Sequence, residues 1–295
     1  MVSGVFVGLS TVDIIYALDE HPAANAKLVA RTQQTFAGGP ATNAAVTFSY
    51  LGGRATLIAP VGRHALTNLL KEELTRCSVE LIDLTPESSE PPPISSIYVD
   101  RHGRRSVVSV NTTCTQIPPP QIDHFKLKGA QVILIDGHAM EACKAWSAAA
   151  RGQGVSVVFD GGSWKPGTNQ LLKNVDIAIC SADFRPPGCT NNSDAVIEYL
   201  RTCGVRSVAI SAGADAVRYD SGSSAGSIEV PPVEAVDTTG AGDIFHGAFC
   251  YYAAAGLGFV NALREAAAIA SESCRFHGTR EWMRGRSSAA WQRGV

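Results

Sequence analysis

From about Gln131 onward, short apolar runs rich in β-branched residues alternate with longer stretches of helical character. That alternation predicts parallel strands joined by crossover helices. Val132 to Ile135, Val155 to Phe159, Asp176 to Cys180 and Ser207 to Ser211 read as consecutive strands. None shows the polar and apolar alternation of a half-exposed strand, so both faces of their sheet must be covered. Glu141 to Arg151, Ser193 to Thr202, Ala241 to Ala255 and Val260 to Arg275 read as the covering helices, with Ser193 placed as a cap before Asp194. The expected fold is α/β: a doubly wound, mostly parallel sheet flanked by helices. Its ligands bind beyond the carboxyl ends of the strands, where loops meet helix N-termini.

The segment Ile94 to Val110 obeys a different period. Two alternating runs, Ser95 to Asp100 and Ser106 to Val110, flank the polar turn Arg101-His102-Gly103-Arg104, the pattern of a hairpin. With Ile14 to Leu18 and Leu28 to Thr35 it is expected to form a small strand layer outside the main sheet, a lid over a pocket. An extension of the main sheet is the alternative that the pattern leaves open. Proline-rich Glu90 to Pro93 and Ile117 to Gln121 bracket the hairpin as connectors. One domain spanning 1–280 is expected, with lid segments at about 14–35 and 94–110. The polar, arginine-rich 281–295 reads as a partly disordered tail.

A chain of 295 residues with 45% hydrophobic positions can bury one large core. A net charge of −2 without long basic runs offers no field for phosphate backbones or anionic lipid, which argues against nucleic acid and membrane partners. The apolar start, Met1 to Leu9, lacks a basic leader and reads as a first core strand. No apolar run approaches the roughly 18 to 20 residues of a membrane-spanning helix. The eight cysteines are scattered without a C-x-x-C pair, so neither a zinc site nor a disulfide framework is expected. Reduced structural thiols in a cytoplasmic protein are the expectation.

The strongest local signal is Val236-Asp237-Thr238-Thr239-Gly240-Ala241-Gly242-Asp243, running into the apolar helix Ile244 to Ala255. Residues with almost no side chain at a helix start let backbone N–H groups approach an anion, so this loop can receive a phosphate. Asp243 in the first turn can face the same point and accept a proton from an attacking hydroxyl. A glycine-rich turn with an acidic cap is the plainer reading of the same residues.

The string D-T-T-G-A-G-D-x-F-x-G-A over 237–248 resembles the C-terminal signature of the phosphofructokinase B (PfkB) and ribokinase-like family of carbohydrate kinases. Gly38-Gly39-Pro40-Ala41-Thr42-Asn43-Ala44-Ala45 and Leu51-Gly52 resemble its N-terminal signature, so the resemblance covers nearly the whole chain. It implies ATP-dependent phosphorylation of a hydroxyl on a sugar or sugar-like molecule. Asp243 would be the base, Gly240, Ala241 and Gly242 the anion hole, and Asp13, Gly38, Gly39 and Asn43 the acceptor site. Asn111, at the end of the hairpin, is a further candidate contact. The nucleotide is expected near Ser181, Ser211 and Gly213, beside Gly240 and Gly242. There the family commonly has T-x-G-x-x-G, and here the last glycine position is Ala216. After the strand Asp176 to Cys180 the family often shows N-x-x-E, where this chain has Ser181-Ala182-Asp183-Phe184. Similar replacements occur in the ketohexokinase-like and sulfofructose-kinase-like branches, and Ser181 or Asp183 would then act on Mg2+ through water.

Asp237 and Thr239 are candidates for a monovalent cation such as K+, with a loop-stabilising Asp as the alternative. His138 falls at the carboxyl end of a strand, whereas His64, His102 and His277 read as surface residues. Lys27, Arg31 and Arg63 are candidates to read an anionic group on the acceptor. A homodimer through the lid strands is expected by the same resemblance. Two rival functions share these motifs: a nucleoside kinase, which needs an aromatic or apolar slot for a base, and a catalytically weak regulatory protein.

Overall fold

The computed structural model describes residues 1–110, 117–189 and 192–284. Its strands are Ser3–Val7 (β1), Thr11–Ala17 (β2), Thr32–Gly38 (β3), Arg54–Ala59 (β4), Val79–Asp83 (β5), Ile94–Val99 (β6) and Arg105–Ser109 (β7). They continue with Val132–Ile135 (β8), Ser156–Gly161 (β9), Ile177–Ser181 (β10), Ser207–Ala212 (β11), Asp215–Asp220 (β12) and Ala225–Ile228 (β13). Nine of them form the main sheet in the order β13-β12-β11-β10-β9-β8-β1-β4-β5. All pairings are parallel except those of the terminal hairpin β12–β13.

The unbroken apolar runs follow from this placement. Phe6, Leu57, Leu134, Val158 and Ile179 pack on one face with the helices Pro40–Tyr50, Ala241–Ala254 and Phe259–Ser273. Val5, Val7, Ile133, Ile135, Val157 and Phe159 pack on the other with Met140–Gly152 and Ser193–Thr202. The residue capping the last of these helices is Asn192, not Ser193: its side chain accepts from the Asp194 N–H at 2.9 Å, and Ser193 is the first helical residue.

The remaining strands form a separate small sheet in the order β3-β2-β6-β7, with only β2–β6 parallel. It is not an extension of the main sheet. Its first two strands run closer to the signature residues than the apolar pattern suggested, since Asp13 lies inside β2, opposite Phe36, and Gly38 ends β3. The fold also runs past residue 280. Glu281–Met283 form a 3-10 turn, and Trp282 is wholly buried, its ring 5.0 Å from that of Tyr50.

The helices that carry the two signatures also touch closely. A Cβ on Gly247 would lie 2.3 Å from the Ala44 carbonyl oxygen, so only glycine lets Ala241–Ala254 approach Pro40–Tyr50 this closely. Among the described residues no helix is long and apolar enough to cross a membrane.

Candidate active site

Gly240 caps Ala241–Ala254 at φ 70°, a left-handed conformation that glycine adopts without strain. A Cβ there would also strike Thr279 Cγ2 at 2.6 Å. Gly242, in the first turn, is the opposite case: a Cβ would meet nothing within 4 Å. The Ala241 N–H bonds to the Thr238 carbonyl at 3.3 Å, whereas the next first-turn N–H groups have no acceptor within the helix and lie at the positive end of its dipole.

Asp243 stands in that turn, half-buried. Its Oδ2 accepts from Asn43 Nδ2 at 2.8 Å. Burial pushes its carboxyl up to about 6, helped by the neighbouring Asp160, while Asn43, His246 and Arg105 pull it down. Asp13 is also raised to about 6, first by burial and then by Asp243, against hydrogen bonds from Thr11 and Ser95. Thr11 Oγ1 donates to Asp13 Oδ1 at 2.5 Å. Gly38 leaves room for that carboxylate, since a Cβ there would lie 1.8 Å from Asp13 Oδ2. Gly39 turns the chain into the next helix at φ 96°. The structure thus brings Asp13, Asn43 and Asp243 together, while Asn111 lies outside the described residues.

Several groups at this site carry no motif signal. Asp136, at the end of β8, accepts from the N–H groups of Leu9, Ala41 and His138 at 2.8, 3.2 and 2.8 Å. It caps Pro40–Tyr50 from across the sheet, where Gly39 offers no side chain. Arg280 donates from Nε to Glu73 at 2.8 Å, from Nη1 to Asn43 Oδ1 at 2.9 Å and from Nη2 to the Ala37 carbonyl at 2.6 Å. Glu73 in turn accepts from the Ala37 N–H at 2.6 Å. The chain Glu73–Arg280–Asn43 therefore orients the amide that faces Asp243. From the small sheet, Arg105 Nη1 donates to the Thr238 carbonyl, which puts a cation beside the Gly240 loop. Lys27 and Arg63 are exposed, and Arg31 pairs with Asp19 and the Leu18 carbonyl instead.

His138 is half-buried at the end of β8, and burial pushes its imidazole down. His246, one turn beyond Asp243, is buried against Asp160, with Nδ1 and Oδ2 3.4 Å apart. The D-x-F-x-G pattern contains its position without marking it.

On the nucleotide side, Ser181 and Ser211 are register partners at the ends of β10 and β11. Gly213, at φ 61°, begins a tight turn closed by the pair Ala212 and Asp215. Ala216 is therefore part of β12 and not a loop residue. Phe184, where the family motif would place a carboxylate, is fully buried against Phe159 and Trp164. The Ser181 and Asp183 side chains remain nearer the surface. Asp237 clamps its loop, accepting from the N–H groups of Thr239 and Gly278 at 2.8 Å each. Thr239 Oγ1 is buried without a hydrogen-bond partner. Among the described residues no group of three or more His, Cys, Asp or Glu is arranged to hold a metal ion.

A parallel sheet with the start of a glycine-capped helix beyond its strand ends, and a second sheet alongside, is the architecture of the ribokinase fold. The chain belongs to the pfkB family of carbohydrate kinases, whose sequence pattern matches residues 2–284. It is 27% identical to a ribokinase of Arabidopsis thaliana over 90% of this chain and 74% of that one. It is 25% identical to a ketohexokinase of Mus musculus, over 92% and 96% of the two chains. The structure of Arabidopsis thaliana ribokinase complexed with ribose and ATP superposes with a TM-score of 0.81 at 24% identity, covering 99% of this chain and 98% of that one.

Proposed function

We propose that this carbohydrate kinase transfers the γ-phosphoryl group of ATP to a hydroxyl of a sugar, with Asp243 as the base and the Gly240-Ala241-Gly242 loop as the anion hole. The observation that carries the reading is the Asn43–Asp243 contact at 2.8 Å, which sets a carboxylate against the uncovered start of a helix. The hydroxyl proton passes to Asp243, the hydroxyl oxygen bonds to phosphorus, and the bond to the ADP oxygen breaks. The developing charge faces first-turn N–H groups and Arg105.

Mg2+ neutralises phosphate charge when it is bound. The absence of a three-ligand cluster among the described residues fits an ion held mainly by phosphates and water. Ser181 and Asp183 would hold it through water. The unpartnered Thr239 hydroxyl supports a K+ beside the loop. Exposed Val107 and Val108 on β7, the edge of the small sheet, support a homodimer through the lid strands.

A base that gives up its proton near 6 must be ionised to work. We expect kcat/KM to be level above neutrality and to fall toward tenfold per pH unit below about 6. A profile level down to about pH 4.5 would remove Asp243 from the role.

Gly242→Val fills space that no protein atom occupies, so it should fold normally. It should nonetheless lose about 10² to 10³ in kcat. Normal turnover in a normally folded variant would reduce the loop to a structural turn.

Asp13 and Asn43 suit adjacent hydroxyls, whereas a nucleobase wants a stacking surface that they do not supply. The likeness to a ribokinase and a ketohexokinase supports a pentose or a ketose. In an ADP-release assay over ribose, fructose, tagatose, adenosine and inosine, a sugar should exceed either nucleoside by at least about tenfold in kcat/KM. Asp13→Ala should abolish most of that activity. Faster turnover of a nucleoside than of every sugar would make the chain a nucleoside kinase.

A further inference from the structure

His246 takes no part in the transfer as described, yet it is a buried polar side chain one turn beyond Asp243. It is 5% exposed. Its Nδ1 lies 2.6 Å from the Gly242 carbonyl oxygen, and its Nε2 lies 3.0 Å from the Ile179 carbonyl oxygen on β10. Carbonyl oxygens only accept, and a neutral imidazole has a single N–H to give. Either neutral tautomer would therefore aim a bare lone pair at a carbonyl oxygen in a site closed to water, at a cost no nearby donor relieves. A ring carrying both protons satisfies both contacts at once.

That ring needs a counterion, and Asp160 supplies one from β9. The two side chains are about equally buried, at 6% and 7% exposure. Burial pushes the Asp160 carboxyl up, and His246 pulls it down. The other charges in range are Asp136 from the end of β8 and Lys165 from the loop after β9. Asp243 lies one turn earlier on the same helix, with Arg105 reaching in from the small sheet. The thiols of Cys180 on β10 and Cys250 on the helix also face Asp160, and burial keeps both protonated.

Resting on the catalytic reading of the loop given above, we propose that His246 is a positioning residue for phosphoryl transfer. As an imidazolium paired with Asp160, it fixes and polarises the Gly242–Asp243 peptide.

The planar trans peptide whose C=O belongs to Gly242 carries the Asp243 N–H on its opposite side. Anchoring the carbonyl from behind therefore sets where that N–H points, toward the open space at Gly242. A cationic donor on the carbonyl also withdraws charge through the amide and strengthens the N–H as a donor to a developing anion. The other ring nitrogen holds β10 two residues before Ser181. One side chain thus ties the anion-binding turn to the strand that carries the nucleotide-side serine.

The first test does not depend on turnover. In protein labelled with 15N-histidine, the ring nitrogens of His246, assigned by their loss in His246→Asn, should both be protonated at about pH 7.5. Asp160→Asn should abolish that pattern. A ring with one unprotonated nitrogen overturns the proposal. The second test is kinetic, with ribose or fructose, whichever turns over faster, as acceptor. His246→Asn and His246→Gln, which keep an amide donor but carry no charge, should each lose about tenfold to a hundredfold in kcat. KM for ATP should stay within about threefold. Wild-type kcat in either variant, beside an inactive Asp243→Asn, overturns the proposal alone. Intact turnover in Asp243→Asn overturns the catalytic reading on which it rests. If neither His246 variant folds, the ring is assigned by replacing the other six histidines in turn, and the wild-type spectrum still decides.

Discussion

Asp243→Asn is expected to lose about 10² to 10⁴ in kcat while binding ATP as before. The amide is isosteric with the carboxylate and can keep a hydrogen bond with the Asn43 side chain after one amide turns over. Nothing in the fold is lost, and relieving a half-buried carboxyl raised to about 6 should if anything favour the folded state. What disappears is the carboxylate proposed to take the acceptor's proton at the helix start. A variant that binds ATP normally and retains most of its kcat would sink the assignment. A variant that also lost ATP affinity would mean that the carboxylate organises the nucleotide instead.

Arg280→Met should cost about 3 to 5 kcal/mol of stability, because it strands Glu73 as a buried, uncompensated carboxylate. Both partners are only 9% exposed, and Arg280 also satisfies the Ala37 carbonyl and Asn43. Thermal unfolding should shift downward by roughly 10 °C. The double variant Arg280→Met, Glu73→Leu should recover most of the loss, since apolar groups of similar volume often replace a buried pair without penalty. It should recover little activity, because Asn43 would still lack the donor that orients it. A single variant that melts within about 2 °C of the wild type would show that the pair carries no net stability.

The main sheet and its helices were legible because each element obeys one rule along its own length. The four strands from Val132 to Ser211 needed only unbroken apolar runs, and these arise wherever helices cover both faces. The small sheet could be read from the alternation of Ser95 to Asp100. Its other strands were harder to bound, because Asp13 and Gly38 are signature residues and strand residues at once. In sequence the Ser211 to Ala216 segment reads as a loop, because a tight turn at Gly213 looks the same as an open one. At the site, Asp13, Asn43 and Asp243 could be named from motifs. Asp136, Glu73, Arg280 and His246 could not, since each acts through a partner distant in sequence or through backbone atoms. Arg280 sits just before what reads in sequence as a polar tail, and the burial of Trp282 shows that the core extends into it.

The contacts that complete the site span most of the chain: 200 residues separate Asn43 from Asp243, and 207 separate Glu73 from Arg280. Synthesis proceeds from the N-terminus, so a growing chain holds Glu73 without its cation until 207 further residues have been made. Long-range closures of this kind are also the slow ones. A chain cut before Arg280 would therefore lose the donor that holds Asn43 and the charge balance of the core together. Clipped or prematurely terminated chains would then be cleared as unstable proteins and would not persist as impaired kinases.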